Sequence, residues 1–149
     1  MKRPDISFEL FPPASANGLD NLTKTVTRLK AFEPKYYSIT YGAGGSGQQK
    51  SKDLLNKLSQ DKDPTLAAHI TMAGASKAAV LKTVKAGHNL GVTRLVALRG
   101  DAEEPGVAFE PHENGFQDSV EFIASLRELG DFDIAVECHG DLLCVLDAL

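Results

Sequence analysis

The sequence predicts an α/β protein with a parallel sheet, because short strand patterns alternate with helix patterns along the chain. Strands joined through helices form βαβ units, in which the two strands are parallel and the crossover is right-handed. Two architectures are consistent with this alternation: an open doubly wound sheet and the first part of a (β/α)8 barrel. A complete barrel takes roughly 250 residues, so a barrel in this chain of 149 residues is expected to stop partway round. A single domain over residues 1–149 is predicted.

Residue periodicity predicts each element in turn. The strand segments are short and rich in β-branched, aromatic and aliphatic residues, and they cover residues 6–8, 36–41, 66–70, 92–98 and 133–136. Between them, apolar residues recur at spacings of three and four, which predicts amphipathic helices in residues 19–32, 54–58, 76–87 and 116–129. Ser76 is the predicted N-cap of the third helix, and Pro64, Gly87 and Gly130 predict helix ends.

Composition and charge exclude several classes of function. A formal net charge of -4 and a pI near 5.5 provide no basic surface for nucleic acid or anionic lipid. No apolar run approaches the roughly 18 residues that a membrane helix needs, and the basic start of the chain is not followed by the apolar segment of a secretory leader. The expected compartment is therefore the cytoplasm, without nucleic-acid or membrane partners.

The cysteines predict neither a disulfide scaffold nor a metal site. Only Cys138 and Cys144 are present, which is too few for a scaffold. Together with His139 they match no common zinc-ligand spacing. No bound metal is predicted.

Polar residues follow the apolar strands at the points where the strands end. The carboxyl ends of parallel strands meet at one edge of a sheet, where ligands bind in α/β enzymes. The sequence therefore predicts the working face of an enzyme at that edge. The residues concerned are Glu9, Thr40 with Tyr41, His69, and Arg99 with Gly100 and Asp101.

Four of these residues have an ordinary structural interpretation as well as a functional one. Apolar sequence neighbours favour the neutral form of the Glu9 carboxyl and suit a general acid, but Glu9 could equally point into solvent from an edge strand. Asp101 could cap a turn through local backbone amides. His69 could be a hydrogen-bonded core residue, and Arg99 could pair with Asp101 or with a phosphate.

The segment from Gly42 to Gly47 matches the G-x-G-x-x-G pattern after a strand and before a helix. A dinucleotide site also needs an acidic residue at the end of the next strand, where residues 69–72 read HITM. Gln48 and Gln49 stand where a P-loop needs Lys and Ser or Thr. The segment is either a mobile loop lining a pocket, a Rossmann phosphate loop or a plain connector. A small Rossmann-type NAD-binding domain is thus the alternative enzyme.

Four strings resemble, in order and spacing, the flavin-dependent methylenetetrahydrofolate reductase family. They read SFELFPP at residues 7–13, SITYGA at 38–43, AHIT at 68–71 and ALRGD at 97–101. The resemblance runs from about residue 5 to residue 136. It implies parallel βα units that form the first five strands of an incomplete (β/α)8 TIM barrel. Residues 137–149 depart from the family pattern and are expected to be a divergent tail of a truncated or frameshifted product.

The resemblance implies an FAD-dependent reduction of 5,10-methylenetetrahydrofolate to 5-methyltetrahydrofolate by NAD(P)H, which supplies methyl groups for methionine synthesis. It places Glu9 at the family's catalytic general acid and Asp101 at the catalytic aspartate near flavin and pterin, so both would also contact the folate substrate. The implied FAD-binding positions are Thr40, Tyr41, His69, Arg99, Gly100 and Asp101.

An incomplete barrel would leave two sheet edges and an apolar barrel interior uncovered. The chain alone is therefore expected neither to close a barrel nor to reduce folate, and it could form homo-oligomers through its sheet edges. A non-catalytic fragment that needs a partner chain is the alternative from a different functional class.

Overall fold

The structure is a computed structural model that describes residues 5–40, 48–60, 65–100 and 108–136. Within these residues, a sheet of five parallel strands has the order β1-β2-β3-β4-β5. The strands are Ser7–Leu10 (β1), Tyr36–Ile39 (β2), Leu66–Thr71 (β3), Arg94–Leu98 (β4) and Asp133–Val136 (β5). The helices are Ala16–Leu29 (α1), Gln48–Leu58 (α2), Lys77–Asn89 (α3) and Ser119–Leu129 (α4), and a 3-10 turn at Lys30–Phe32 follows α1.

The strand order distinguishes the two predicted architectures. Each strand pairs in parallel with the strand that precedes or follows it in the chain, so the order of the described strands never reverses. A doubly wound sheet requires such a reversal, and its nucleotide site lies at that point. The incomplete (β/α)8 barrel is therefore confirmed. The alternative of a Rossmann-type NAD-binding domain is wrong, and its proposed loop from Gly42 to Gly47 lies outside the described residues.

Alternation along the strands gives the sheet two different faces. One row of register partners packs in the core beneath the helices and comprises Leu10, Ile39, Ala68, Leu95 and Ile134. The adjacent row lies on the opposite side, which we call the inner face, and comprises Glu9, Ser38, Ala67, Arg94 and Asp133. At this level the inner face is polar or small, whereas Val96 and Leu98, further along β4, lie on the same face.

The helices anchor the sheet through one buried core. Val26 of α1, Leu54 of α2, Val84 of α3 and Leu126 of α4 are each almost completely buried. Tyr37 of β2 is also fully buried, and its hydroxyl donates to the Val26 backbone oxygen at 3.4 Å. Packing of this kind fixes the strands and therefore the positions of their polar ends.

Local capping explains where the helices begin. The predicted N-cap Ser76 accepts a hydrogen bond from the Ala79 backbone N–H at 3.3 Å. Helix α4 starts at Ser119, later than its apolar pattern predicts, because Asp118 caps it. Phe116 precedes the helix and is buried against Phe122, with ring centroids 5.0 Å apart. Apolar spacing alone therefore extended this helix too far towards the amino terminus.

The sheet is open within the described residues, since β1 and β5 are each paired on one side. The predicted domain of 1–149 and its tail of 137–149 stay predictions, because residues 137–149 are not described. None of the described helices combines the length and apolar character needed to cross a membrane.

Candidate active site

Predicted site residues from four strands lie at the carboxyl edge of the sheet. Glu9 is near the end of β1 and His69 is near the end of β3. Thr40 directly follows β2, and Arg99 and Gly100 directly follow β4. The structure thus brings these parts of the chain to one edge, as the topology required. Two other predicted site residues, Tyr41 and Asp101, lie outside the described residues, as do Cys138, His139 and Cys144.

Glu9 and His69 are neighbours across β2. The Glu9 Oε1 atom lies 3.8 Å from the His69 Nε2 atom. This separation is longer than a hydrogen bond but makes an ion pair when the imidazole is protonated. The side chain of Glu9 is 48% exposed and that of His69 is 14% exposed. An accessible carboxyl group therefore lies beside a largely covered imidazole.

The predicted apolar surroundings of the Glu9 carboxyl are wrong. Phe8 and Leu10 flank Glu9 in sequence, but alternation along β1 places them on the helix side of the sheet, where they belong to the core or pack against it. Glu9 is on the inner face and remains half exposed. Sequence neighbours along a strand do not surround one another's side chains, so they do not desolvate this carboxyl. The expectation of an exposed edge-strand glutamate describes its surroundings better.

The end of β2 is held by hydrogen bonds to two other elements. The Thr40 backbone N–H donates to the Leu10 oxygen at 3.1 Å, which extends the pairing of β1 with β2. The Thr40 hydroxyl donates weakly to the same oxygen at 3.5 Å. From α2, the buried Ser51 hydroxyl donates to the Thr40 oxygen at 2.8 Å. Thr40 is thus fixed in place before the chain leaves the sheet.

The turn after β4 presents a cation and requires a glycine. The Arg99 guanidinium lies over the Phe109 ring, 5.1 Å from its centroid, and Arg99 is exposed. Gly100 has a φ of 84°, and a Cβ there would lie 2.7 Å from the Ala73 Cβ. The Ala73 backbone N–H donates to the Arg99 oxygen at 3.0 Å, so this close approach is part of the strand pairing. Gly100 therefore lets β3 and β4 stay together beyond their ends.

Sequence reasoning missed a charged pair on the inner face. Arg94 of β4 forms an ion pair with Asp133 of β5, and its guanidinium lies 4.6 Å from the centroid of the Tyr36 ring. The two charged residues occupy the same row as Glu9. Each is the first residue of an otherwise apolar strand, and this single charged residue was the available signal. The pair gives the inner face local charges that largely balance one another.

The described edge offers a carboxyl group, an imidazole, a hydroxyl and a guanidinium. These groups can transfer a proton, hydrogen-bond a polar heterocycle and pair with a phosphate. Among the described residues, no cluster of three or more His, Cys, Asp or Glu residues could hold a metal ion.

Comparisons of the sequence with a family model and with known proteins point to the same family. A family model described as methylenetetrahydrofolate reductase matches residues 1–144. The chain is 29% identical over 142 residues to a 5,10-methylenetetrahydrofolate reductase of Pectobacterium carotovorum subsp. carotovorum, covering 94% of this chain and 45% of that protein. It is 32% identical over 136 residues to the protein of the same name from Buchnera aphidicola subsp. Acyrthosiphon pisum, covering 91% of this chain and 44% of that protein.

A eukaryotic relative shows the same pattern. Methylenetetrahydrofolate reductase 2 of Schizosaccharomyces pombe is 29% identical over 140 residues, covering 93% of this chain and 20% of that protein. The chain thus spans less than half the length of these relatives. The family match includes every predicted site residue and all five strands. The chain belongs to the methylenetetrahydrofolate reductase family.

Proposed function

We propose that this chain carries the amino-terminal part of the active site of an FAD-dependent enzyme that reduces 5,10-methylenetetrahydrofolate to 5-methyltetrahydrofolate with NAD(P)H. The observation that carries the proposal is the meeting of Glu9 and His69, 3.8 Å apart, at the carboxyl edge of a family barrel. The relatives' names support the reaction. Its products would enter one-carbon metabolism and methionine synthesis.

The described residues fit a flavin dinucleotide chemically. The exposed Arg99 guanidinium suits a phosphate group, and the Thr40 hydroxyl and the His69 imidazole suit the polar edges of a heterocycle. Gly100 keeps the turn beside them narrow. Following the resemblance, Tyr41 and Asp101 are proposed to contribute to the same site. When bound, FAD would supply the hydride transfer from NAD(P)H to the folate.

Glu9 is proposed to be the general acid. A proton on its carboxyl would pass to a folate nitrogen as the methylene bridge opens, so the O–H bond breaks and an N–H bond forms. The half-exposed position of Glu9 leaves room for a substrate to reach this proton. Asp101 is proposed to stabilise the positive charge that appears on the opened folate.

The chain alone is proposed to be inactive in folate reduction. Its described sheet is open at β1 and at β5, and the relatives are more than twice as long. Other parts of the catalytic barrel are therefore needed to enclose the ligands. We propose self-association through the two sheet edges as the default behaviour of the chain in isolation. The open sheet and the greater length of the relatives also favour the second candidate, a non-catalytic fragment that a partner chain completes.

Equilibrium titration with FAD tests the cofactor proposal. The purified chain should quench FAD fluorescence saturably but should lose the flavin on gel filtration, because only part of the site is present. Arg99→Ala should weaken this binding several-fold, whereas Arg127→Ala on the exposed surface of α4 should not. No saturable quenching, or equal losses in both variants, would contradict the proposed site.

A further inference from the structure

The Glu9 and His69 side chains meet over a strand that belongs to neither of them. Adjacent strands lie about 4.8 Å apart, so β1 and β3 are separated by roughly 9.6 Å. Glu9 is in register with Ser38 of β2, and Ser38 is in register with Ala67 of β3. His69 lies two positions beyond Ala67, on the same face. The two side chains therefore have to lean across β2 to come within 3.8 Å of each other.

Ser38 of β2, which is in register with Glu9 on the inner face, has a small side chain. Ser38 is 8% exposed although it lies on the inner face, so other side chains cover it. A branched or long residue at this position would occupy the space between the carboxyl and the imidazole. The pairing of Glu9 with His69 therefore needs a small residue at position 38, which is not itself ionisable.

The two partners differ in how firmly they are held. His69 is mostly covered, whereas nearly half of the Glu9 side chain is exposed. A glutamate side chain also has three rotatable bonds, so an exposed carboxyl samples many positions unless a neighbour restrains it. The imidazole is the better fixed group and is suited to restrain the carboxyl.

We propose that His69 is the positioning residue of Glu9, holding its carboxyl over Ser38 and stabilising the carboxylate that remains after the proton has left. This role rests on the proposed function, because it concerns the same acid. After Glu9 has given its proton to the substrate, a small side-chain rotation brings the carboxylate into hydrogen-bond contact with the Nε2 atom of His69. No proton leaves the His69 imidazole during this step.

Other titratable or charged groups on the same face have to be considered in any pH measurement. On the inner face of the described strands these are Tyr36, Arg94 and Asp133, of which Arg94 and Asp133 are paired with each other. Lys52 of α2 lines a pocket together with His69 on the helix side of the sheet. Because these groups are unchanged in a Glu9 variant, the effect of Glu9 on His69 can be isolated by comparing variants.

Nuclear magnetic resonance of the ring-13C-histidine-labelled chain tests the pairing directly. The signals of the four histidines are assigned by single His→Gln substitutions. Glu9→Gln keeps the size of the side chain but removes its charge, so the titration midpoint of His69 should fall. Ser38→Val should produce a similar fall, and the double variant should show no further change. The ring signals of His88 should stay in place in all three variants.

Asp5→Asn is the matched control, since it removes a β1-flanking carboxylate that pairs with Lys35. A His69 midpoint that is unchanged in Glu9→Gln, or that moves equally in Asp5→Asn, overturns the proposal. A protein variant that fails to fold is replaced by Glu9→Asp, which shortens the side chain and should also lower the midpoint. The FAD titration is a separate measurement: a His69 shift without FAD binding would refute the proposed function and leave the pairing established.

Discussion

The Ser51 hydroxyl of α2 donates a hydrogen bond to the backbone oxygen of Thr40 at 2.8 Å. This bond joins the helix to the residue that directly follows β2 at the candidate site. Ser51 is 2% exposed, so this bond is made away from solvent. The contact couples helix packing to the geometry of the sheet edge.

Ser51→Ala should therefore lower stability and loosen the site together. Loss of one buried hydrogen bond is expected to reduce the free energy of unfolding by about 1 kcal/mol. Urea unfolding measures this change, and FAD titration should show weaker binding. Ser59→Ala is the control, because its hydroxyl donates to the Asn56 oxygen at an exposed position. Equal effects of the two substitutions would show that the Thr40 contact has no special role.

Gly100→Ala tests the close approach of β3 and β4. The new Cβ would lie 2.7 Å from the Ala73 Cβ at a φ of 84°, so steric overlap adds to backbone strain. We expect a loss of roughly 2 to 4 kcal/mol in the free energy of unfolding. Gly74→Ala has a similar φ of 65° with nothing within 4 Å of its Cβ, and should lose only about 1 to 2 kcal/mol. Equal losses would mean that strain, and not overlap, explains Gly100.

The Lys77 and Glu121 ion pair predicts a pH-dependent link between α3 and α4. The hydrogen bond from Lys77, aided by the Gln117 backbone N–H, lowers the pKa of Glu121 from its usual 4.5. A lowered pKa means that the stabilisation is present above pH 4.5 and is lost as the pH falls through the folded-state value. The urea midpoint of the wild-type chain should therefore be higher than that of Glu121→Gln at pH 7. This difference should be smaller at pH 3.

Glu128→Gln on the same helix is the control for general charge effects. It should change the urea midpoint little at either pH, because Glu128 is exposed. A difference between wild type and Glu121→Gln that persists unchanged at pH 3 would rule out the ion pair as its source.

Self-association through the β5 edge is testable by size-exclusion chromatography at several protein concentrations. Ala135→Lys places a charge on an exposed position of this edge strand and should shift the chain towards the monomer. Ala124→Lys adds the same charge on the exposed surface of α4 and should leave the elution unchanged. A wild-type chain that elutes as a monomer at every concentration contradicts self-association.

The fold could be predicted because alternating βα patterns and the right-handed crossover rule leave few topologies. Strand order could not be read from the same patterns, since both architectures use identical βαβ units. The meeting of Glu9 and His69 at one edge could be predicted, because both residues lie near the carboxyl ends of their strands. The surroundings of Glu9 could not be predicted from its sequence neighbours, because these lie on the other face of β1.

Long-range contacts were the other gap in sequence reasoning. The Arg94 and Asp133 pair joins residues from different strands, and local periodicity contains no information on that pairing. Helix α4 is a different case, because the capping bond of Asp118 that decides its start is local, and apolar spacing alone does not detect such a cap.

Separate measurement of the two half-reactions tests the proposed role of Glu9 as the general acid, with Glu9→Gln introduced at the matching position of a full-length relative. Stopped-flow absorbance follows flavin reduction by the nicotinamide and then flavin reoxidation by methylenetetrahydrofolate. Flavin reduction should be nearly unchanged, because Glu9 transfers no proton in that step. Reoxidation should slow by roughly 10²-fold or more, the contribution typical of a general acid. Equal slowing of both half-reactions, or of neither, would contradict the role of Glu9.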